Sequence, residues 1–426
     1  MIYLIVIILF FNLWMAYKGF GCFVSPPVLL GLGMFLASVT AATYYNEWDL
    51  NTMLLETFVI LAFSPLLFTF VCLLLKLQNA NNMDQSISCY MDFATKKINI
   101  TLILLIITGG IYLVYTQRYY SSSFGDHLDF SETLFAARLN AEDVELPLYL
   151  KLIDLLNGMI SYFTIWLLCI YIFYKKHKGF TFVLLALQLC ITALIGLMSG
   201  SKGELLDPFI RFAVAYIMFC SIYNKVSISH NILKIILGIA IGIYVLGVIN
   251  TFVGRSMDNY SSSVDLFAEY CGAEFKNFDT FIRYPNRYSD YGNFGEQTFS
   301  LLYNDLGYSK VKYAGKFESI GPFSLGNVYT QYMSFYKDFG YIGVVGMTIV
   351  IAVISMLLYN SMLLALRKCR LNVYVFLYMS AAYCLFMSFF SSRFTERFFR
   401  IGMIRNIIIF SIAIFLFNRY IIRSRK

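Results

Sequence analysis

The chain has 426 residues, of which 59% are hydrophobic, 18% aromatic and only 14% charged, where ordinary soluble domains carry roughly a quarter charged residues. A mean hydropathy of +0.67 and repeated apolar runs of about 17 to 25 residues exclude a soluble globular domain and predict an all-α polytopic membrane protein. The net charge of +8 does not argue for a nucleic-acid partner, because the basic residues mostly sit in short loops between apolar runs.

Eleven spans are predicted in chain order: 2–17, 27–44, 53–76, 98–115, 151–174, 180–198, 208–223, 232–253, 340–366, 372–390 and 401–418. The first run lacks a basic leader and a small-residue cleavage motif, so it is expected to stay as a span. With the N-terminus outside, 16 of the 33 basic residues but only Asp84 and Asp92 among the 25 acids fall on the inner side. That asymmetry predicts an N-out, C-in topology. The expected organisation is one integral membrane domain, 1–426, whose outer loops 116–150 and 254–339 form the extracytoplasmic part. Nine Cys residues without a CxxC pair or ligand-like spacing to the three His residues predict neither disulfides nor a zinc site. No cofactor or metal is expected, and no Walker loop or dinucleotide fingerprint occurs. His127, the only outer His, and the Ser residues show no triad partner.

The turn "SGSKGELLD", 199–207, is expected to run outside between the sixth and seventh spans. Asp207 and Pro208 suit an N-cap followed by Pro at the first helical position; Lys202 and Glu204 are not explained by capping. In the long outer loop, "VDLFAEYCGAEFKNFDTFIR", 264–283, places Asp265, Glu269, Gly272, Lys276, Asp279 and Arg283 on one helical face. Phe267, Tyr270, Phe278 and Phe281 lie on the other. Such an amphipathic helix is either a structural lid or one wall of a substrate cleft.

"RYPNRYSDYGNFGEQTF", 283–299, interleaves Arg283 and Arg287 with Tyr284, Tyr288 and Tyr291, a pattern that suits either a membrane interface or sugar and phosphate binding. In "GNVYTQYMSFYKDFGYIGVVG", 326–346, Gly340, Gly343 and Gly346 are spaced for close helix approach, and Asp338 suits a cap or a site carboxylate. Finally "SSRFTERFFR", 391–400, puts Arg393, Arg397 and Arg400 on one helical face beside Glu396, against the positive-inside bias. With Arg255 and Lys202 they predict a cationic outer site suited to a pyrophosphate.

"SGSKGELL", "EYCGAEFKNFDTFI" and "GNVYTQYMSFYKDFGYIGVVG" occur in that order, and together they resemble the bacterial oligosaccharide repeat-unit polymerases, the O-antigen or capsule polymerases of the Wzy type. Lys202 stands where members of that family often carry Arg. The resemblance implies a glycosyltransferase at the outer face of the bacterial cytoplasmic membrane. It would transfer a growing glycan from undecaprenyl pyrophosphate to a new carrier-linked repeat unit, without a nucleotide. Membrane lipid and a chain-length regulator protein would be its further partners. On this reading Lys202, Arg255, Arg393, Arg397 and Arg400 meet the pyrophosphate, with Arg397 and Arg400 stabilising the leaving group. Arg283, Arg287 and Asp338 bind substrate, and Glu269 is the base, ahead of Glu204, Asp265 and Asp338. A related ligase and a lipid-linked-glycan flippase are the alternatives. A flippase should carry charge deep in several spans, whereas the spans here read as nearly charge-free.

Overall fold

The computed structural model describes residues 1–77, 95–124, 132–133, 136, 146–174, 179–198, 202–220, 263–288, 294–308, 316–367 and 371–420. Its helices are α1 Ile2–Phe20, α2 Pro26–Thr43, α3 Leu55–Leu74, α4 Thr95–Phe124, α5 Leu148–Tyr174, α6 Phe180–Leu197, α7 Lys202–Phe219, α8 Ser263–Cys271 and α9 Ala273–Arg283. They continue as α10 Ser300–Asp305, α11 Gln331–Arg367, α12 Val373–Phe386, α13 Arg393–Phe398 and α14 Ile401–Tyr420. A two-stranded antiparallel hairpin, β1 Glu318–Ile320 and β2 Phe323–Gly326, stands between α10 and α11.

Eight described helices are long and apolar enough to cross a membrane, and Val373–Phe389 forms a shorter apolar helical stretch. They carry large apolar side chains outward, such as Ile7 and Phe10 of α1, Leu104 of α4 and Ile404 and Phe415 of α14. Water would penalise that surface, and hydrocarbon tails cover it without cost. The chain is thus a mostly helical, multi-pass membrane protein. Of the eleven expected spans, 232–253 lies outside the described residues, and 208–223 falls in α7, which starts six residues earlier, at Lys202.

The chain, expected as one domain, gathers into two compact units. Met1–Ser86 with Val264–Ile409 forms the first, and Ile87–Ser263 with Phe410–Lys426 the second. In the first, α1 packs on α2 and α3, while α11 packs on α3 and α12. In the second, α4 to α7 pack on one another, and the end of α14 joins through Tyr162–Phe410 and Phe163–Phe417 ring contacts at 5.1 and 5.4 Å.

Two membrane segments depart from expectation. Asp207 is not an N-cap: it lies inside α7, where it pairs with Arg211 one turn on, both buried. Arg211 also donates to Ser161 Oγ at 3.2 Å and stacks 4.4 Å over the Tyr162 ring. This ion pair spans Pro208 inside a helix whose first turns were expected to belong to the outer turn 199–207. The glycine stripe of α11 does not serve close helix approach either. Gly340 takes φ 62°, ψ −150° and kinks the helix. A side chain at Gly343 would collide with Phe335 and Phe339 of the same chain segment, and one at Gly346 would meet open space.

Candidate functional site

In the first unit the described parts of the connections 44–54, 263–330 and 391–400 lie at one end of the helices, and α9 packs there on α2, α3 and β2. Asp279, fully buried, accepts at one oxygen from the Leu54 amide and the Thr57 hydroxyl, each at 2.8 Å. Its other oxygen meets Arg283 at 3.3 Å. Lys276 donates to the Asp49 carbonyl at 2.9 Å; burial lowers its pKa, with Asp279 and Asp49 acting against the shift. The Tyr44 hydroxyl donates to Asp265 at 2.7 Å.

These contacts correct the expected amphipathic helix over 264–283. It is two helices, broken at Gly272, where a Cβ would come within 2.9 Å of the Ala41 amide of α2. The polar face looks at residues 44–57, where the Tyr44 and Thr57 hydroxyls and the Asp49 and Leu54 backbone satisfy it. The aromatic face is packed too, with Tyr270 stacked on Phe390 at 6.0 Å and Phe281 edge-on to Tyr288 at 5.1 Å.

Glu269 is 6% exposed, and its Oε2 is buried without a hydrogen-bond partner among the described residues. Burying a carboxylate oxygen unsatisfied is costly, which marks Glu269 as a group held for something other than packing. Its Oε1 lies against Gly326 at the end of β2. The next residue, Tyr270, stacks on Phe390, and Arg393 sits 5.7 Å over the same Phe390 ring. Arg393 also pairs with Glu396 at 3.3 Å, and Arg397 lies 4.9 Å over the Tyr383 ring of α12. A buried carboxylate and two arginines on aromatic supports thus share one end of the unit.

The remaining expected site residues are placed elsewhere. The one-face arginine triplet does not form, because α13 ends at Phe398 and Phe399 packs on Phe299 at 5.5 Å. Arg400 then turns to Asp305 at 3.4 Å, and the same carboxylate caps α14 through the Ile401 amide at 2.9 Å. Arg283 is drawn into the scaffold through Asp279 and the Thr52 carbonyl. Asp338 does not cap its own helix; it accepts from the Gln297 and Thr298 amides at 3.3 and 2.6 Å and fixes the 294–299 turn. Arg287 pairs with Glu318 at 3.7 Å and keeps an exposed face beside Tyr284. Lys202 begins α7, but its side chain and that of Glu204 lie outside the described residues, as do Arg255 and His127.

Several polar groups here carry no motif of their own in the sequence. Glu274, in the first turn of α9, is wholly buried, and neither oxygen makes a well-formed hydrogen bond among the described residues. Burial pushes its pKa well above the usual carboxylate range, only partly offset by the Glu274 and Gly272 amides. Its signal was the apolar company of Ala273 and Phe275, hidden because an acid in a first helical turn is ordinary. Beneath the hairpin, the Tyr288 hydroxyl donates to Glu318 and lies 3.3 Å from that of Tyr329, which donates to the Lys316 carbonyl at 2.9 Å. Burial and then Glu318 raise the Tyr288 phenol against the opposing contact with Tyr329, and burial and then Tyr288 raise that of Tyr329. Comparison with protein-family models, curated proteins and solved structures found no match for this chain.

Proposed function

We propose that the chain is a membrane glycosyltransferase that polymerises undecaprenyl-pyrophosphate-linked oligosaccharide repeat units at the outer face of the bacterial cytoplasmic membrane, with the N-terminus outside and the C-terminus inside. The observation that carries this reading is the end of the first unit, where Glu269 is buried with an unsatisfied oxygen and its neighbour Tyr270 stacks on Phe390, the ring beneath Arg393. The opposite end of the same helices carries Lys18 and Lys76, the latter donating to the Gly19 carbonyl at 2.5 Å, in keeping with the positive-inside rule.

In the proposed reaction Glu269 accepts the proton of an acceptor-sugar hydroxyl as that oxygen attacks the anomeric carbon of the donor glycan. The bond from that carbon to the pyrophosphate oxygen breaks, and undecaprenyl pyrophosphate leaves with the electron pair. Arg393 and Arg397 stabilise the added negative charge where water is scarce. Arg287, exposed beside Tyr284, suits contact with the glycan.

Deleting the gene in its host and restoring it with variants tests this reading. The deletion strain is expected to show single repeat units on the lipid acceptor. Arg397→Ala and Glu269→Gln should shorten or abolish chains while membrane protein stays at normal level. Long-chain glycan in the deletion strain would overturn the reading. A second reading, a lipid-linked-glycan flippase, draws on the buried Asp207–Arg211 pair within α7; the same deletion would then leave no glycan on the acceptor.

A further inference from the structure

Gly326 ends β2 at φ 63°, and a Cβ built on it would lie 2.6 Å from Glu269 Oε1 and 3.2 Å from Glu269 Cδ. Only a residue without a side chain lets the carboxylate come that close to the strand end. Three devices bring this glycine there. The hairpin register slips between Glu318 and Ser319, so that Glu318 faces Gly326 while Ser319 faces Ser324. The slip bulges β2 at Leu325. The Asn277 carboxamide of α9 then donates to both the Leu325 and Val328 carbonyls, at 2.9 Å each, and pins the bulged strand beside α8 and α9. The left-handed backbone at Gly326 finishes the turn.

We infer that Gly326 is a positioning residue for Glu269: its bare Cα lets the carboxylate come to rest against the strand end and so sets where Oε1 stands. This deepens the proposed function and rests on Glu269 acting as the base there. A methyl group at 326 would overlap Glu269 Oε1 and push the carboxylate off the place it holds. It also forces an L side chain into left-handed backbone. The two effects are separable, because shortening Glu269 to Asp withdraws the carboxylate from the methyl and leaves the backbone strain unchanged.

The test is a double-substitution cycle of Gly326→Ala and Glu269→Asp, read as glycan chain length in the complemented deletion strain and as thermal midpoint of the purified full chain in detergent. Gly326→Ala alone is expected to lower polymer yield at least tenfold. The pair should yield several-fold more polymer than the product of the two single effects, with a matching non-additive thermal midpoint. Strictly multiplicative yields would overturn the inference while leaving the polymerase reading standing. Non-additive stability with multiplicative yields would also overturn it, since the contact would then be structural only. Wild-type chains from Glu269→Gln would remove Glu269 as the base and the inference with it, and polymer in the deletion strain would sink the polymerase reading itself.

Discussion

Replacing Asp279 separates the hydrogen-bonding role of one oxygen from the charge of the whole group. The Leu54 amide and the Thr57 hydroxyl both donate to Oδ1, at 2.8 Å, while Arg283 meets Oδ2 at 3.3 Å with its own side chain 30% exposed. Hydrogen bonds to a buried charged group contribute about 1.5–3 kcal/mol each. Asp279→Ala removes both and orphans a donor at the start of α3, so it should cost about 3–6 kcal/mol. Asp279→Asn keeps an oxygen for both donors and loses the half-exposed ion pair, worth about 1 kcal/mol or less, together with some charge assistance. Its cost should stay near 2 kcal/mol. Lys276 on the same helix is buried, so trypsin cleavage there reports opening of this region. At tenfold per 1.4 kcal/mol, the alanine variant should open about 100-fold or more above wild type, and the asparagine variant about 30-fold at most. Equal cleavage rates for the two variants would refute the assignment of both donors to one oxygen.

Two further outcomes follow from buried charge. Glu274 has a raised folded pKa, so its contribution to stability is full below the ordinary carboxylate value near 4.5 and is lost as pH rises through the folded value. The Cys271 thiol beside it is raised by burial and by Glu274, which keeps it uncharged over the same range. Glu274→Gln should therefore flatten the fall in thermal midpoint between pH 5 and pH 8, and parallel curves for the two proteins would contradict the assignment. Asp207→Ala strands Arg211 in α7 and should cost about 3–5 kcal/mol, while Asp207→Leu with Arg211→Met should recover most of it. Thermal unfolding in detergent decides this, and equal losses in single and double variants would count against the pair.

The membrane helices were legible because about 20 apolar residues in a row leave few alternatives, and α1, α3 and α6 lie within a few residues of their expected spans. The outer end of the first unit was legible as segments but not as contacts. Spacing placed Asp265, Lys276 and Asp279 on one face, but it could not show that the Tyr44 hydroxyl and the backbone of Asp49 and Leu54 meet that face; those partners lie more than 220 residues away in the chain. Arg393, Arg397 and Arg400 have helical spacing, yet Phe399 gains more by packing on Phe299 than by continuing the helix. Asp207 looked like a cap because Pro follows it, and the partner that keeps it helical, Arg211, was read only as part of a span. Glu269 was found because its neighbours form a motif; Gly326 could not be tied to it, since a one-residue slip in the hairpin decides which residue faces the carboxylate.

The division of the first unit between the two ends of the chain bears on its biosynthesis. Leu54 and Asp279 are 225 residues apart, and at about 5–20 residues per second the ribosome needs roughly 10 to 45 s to pass from one to the other. Throughout that interval α1 to α3 stand in the membrane with the start of α3 lacking its carboxylate partner. The middle unit, by contrast, has α4 to α7 in hand early. Maturation of the proposed catalytic end therefore waits for α9, and a nascent chain that stops short of it leaves the start of α3 without its carboxylate.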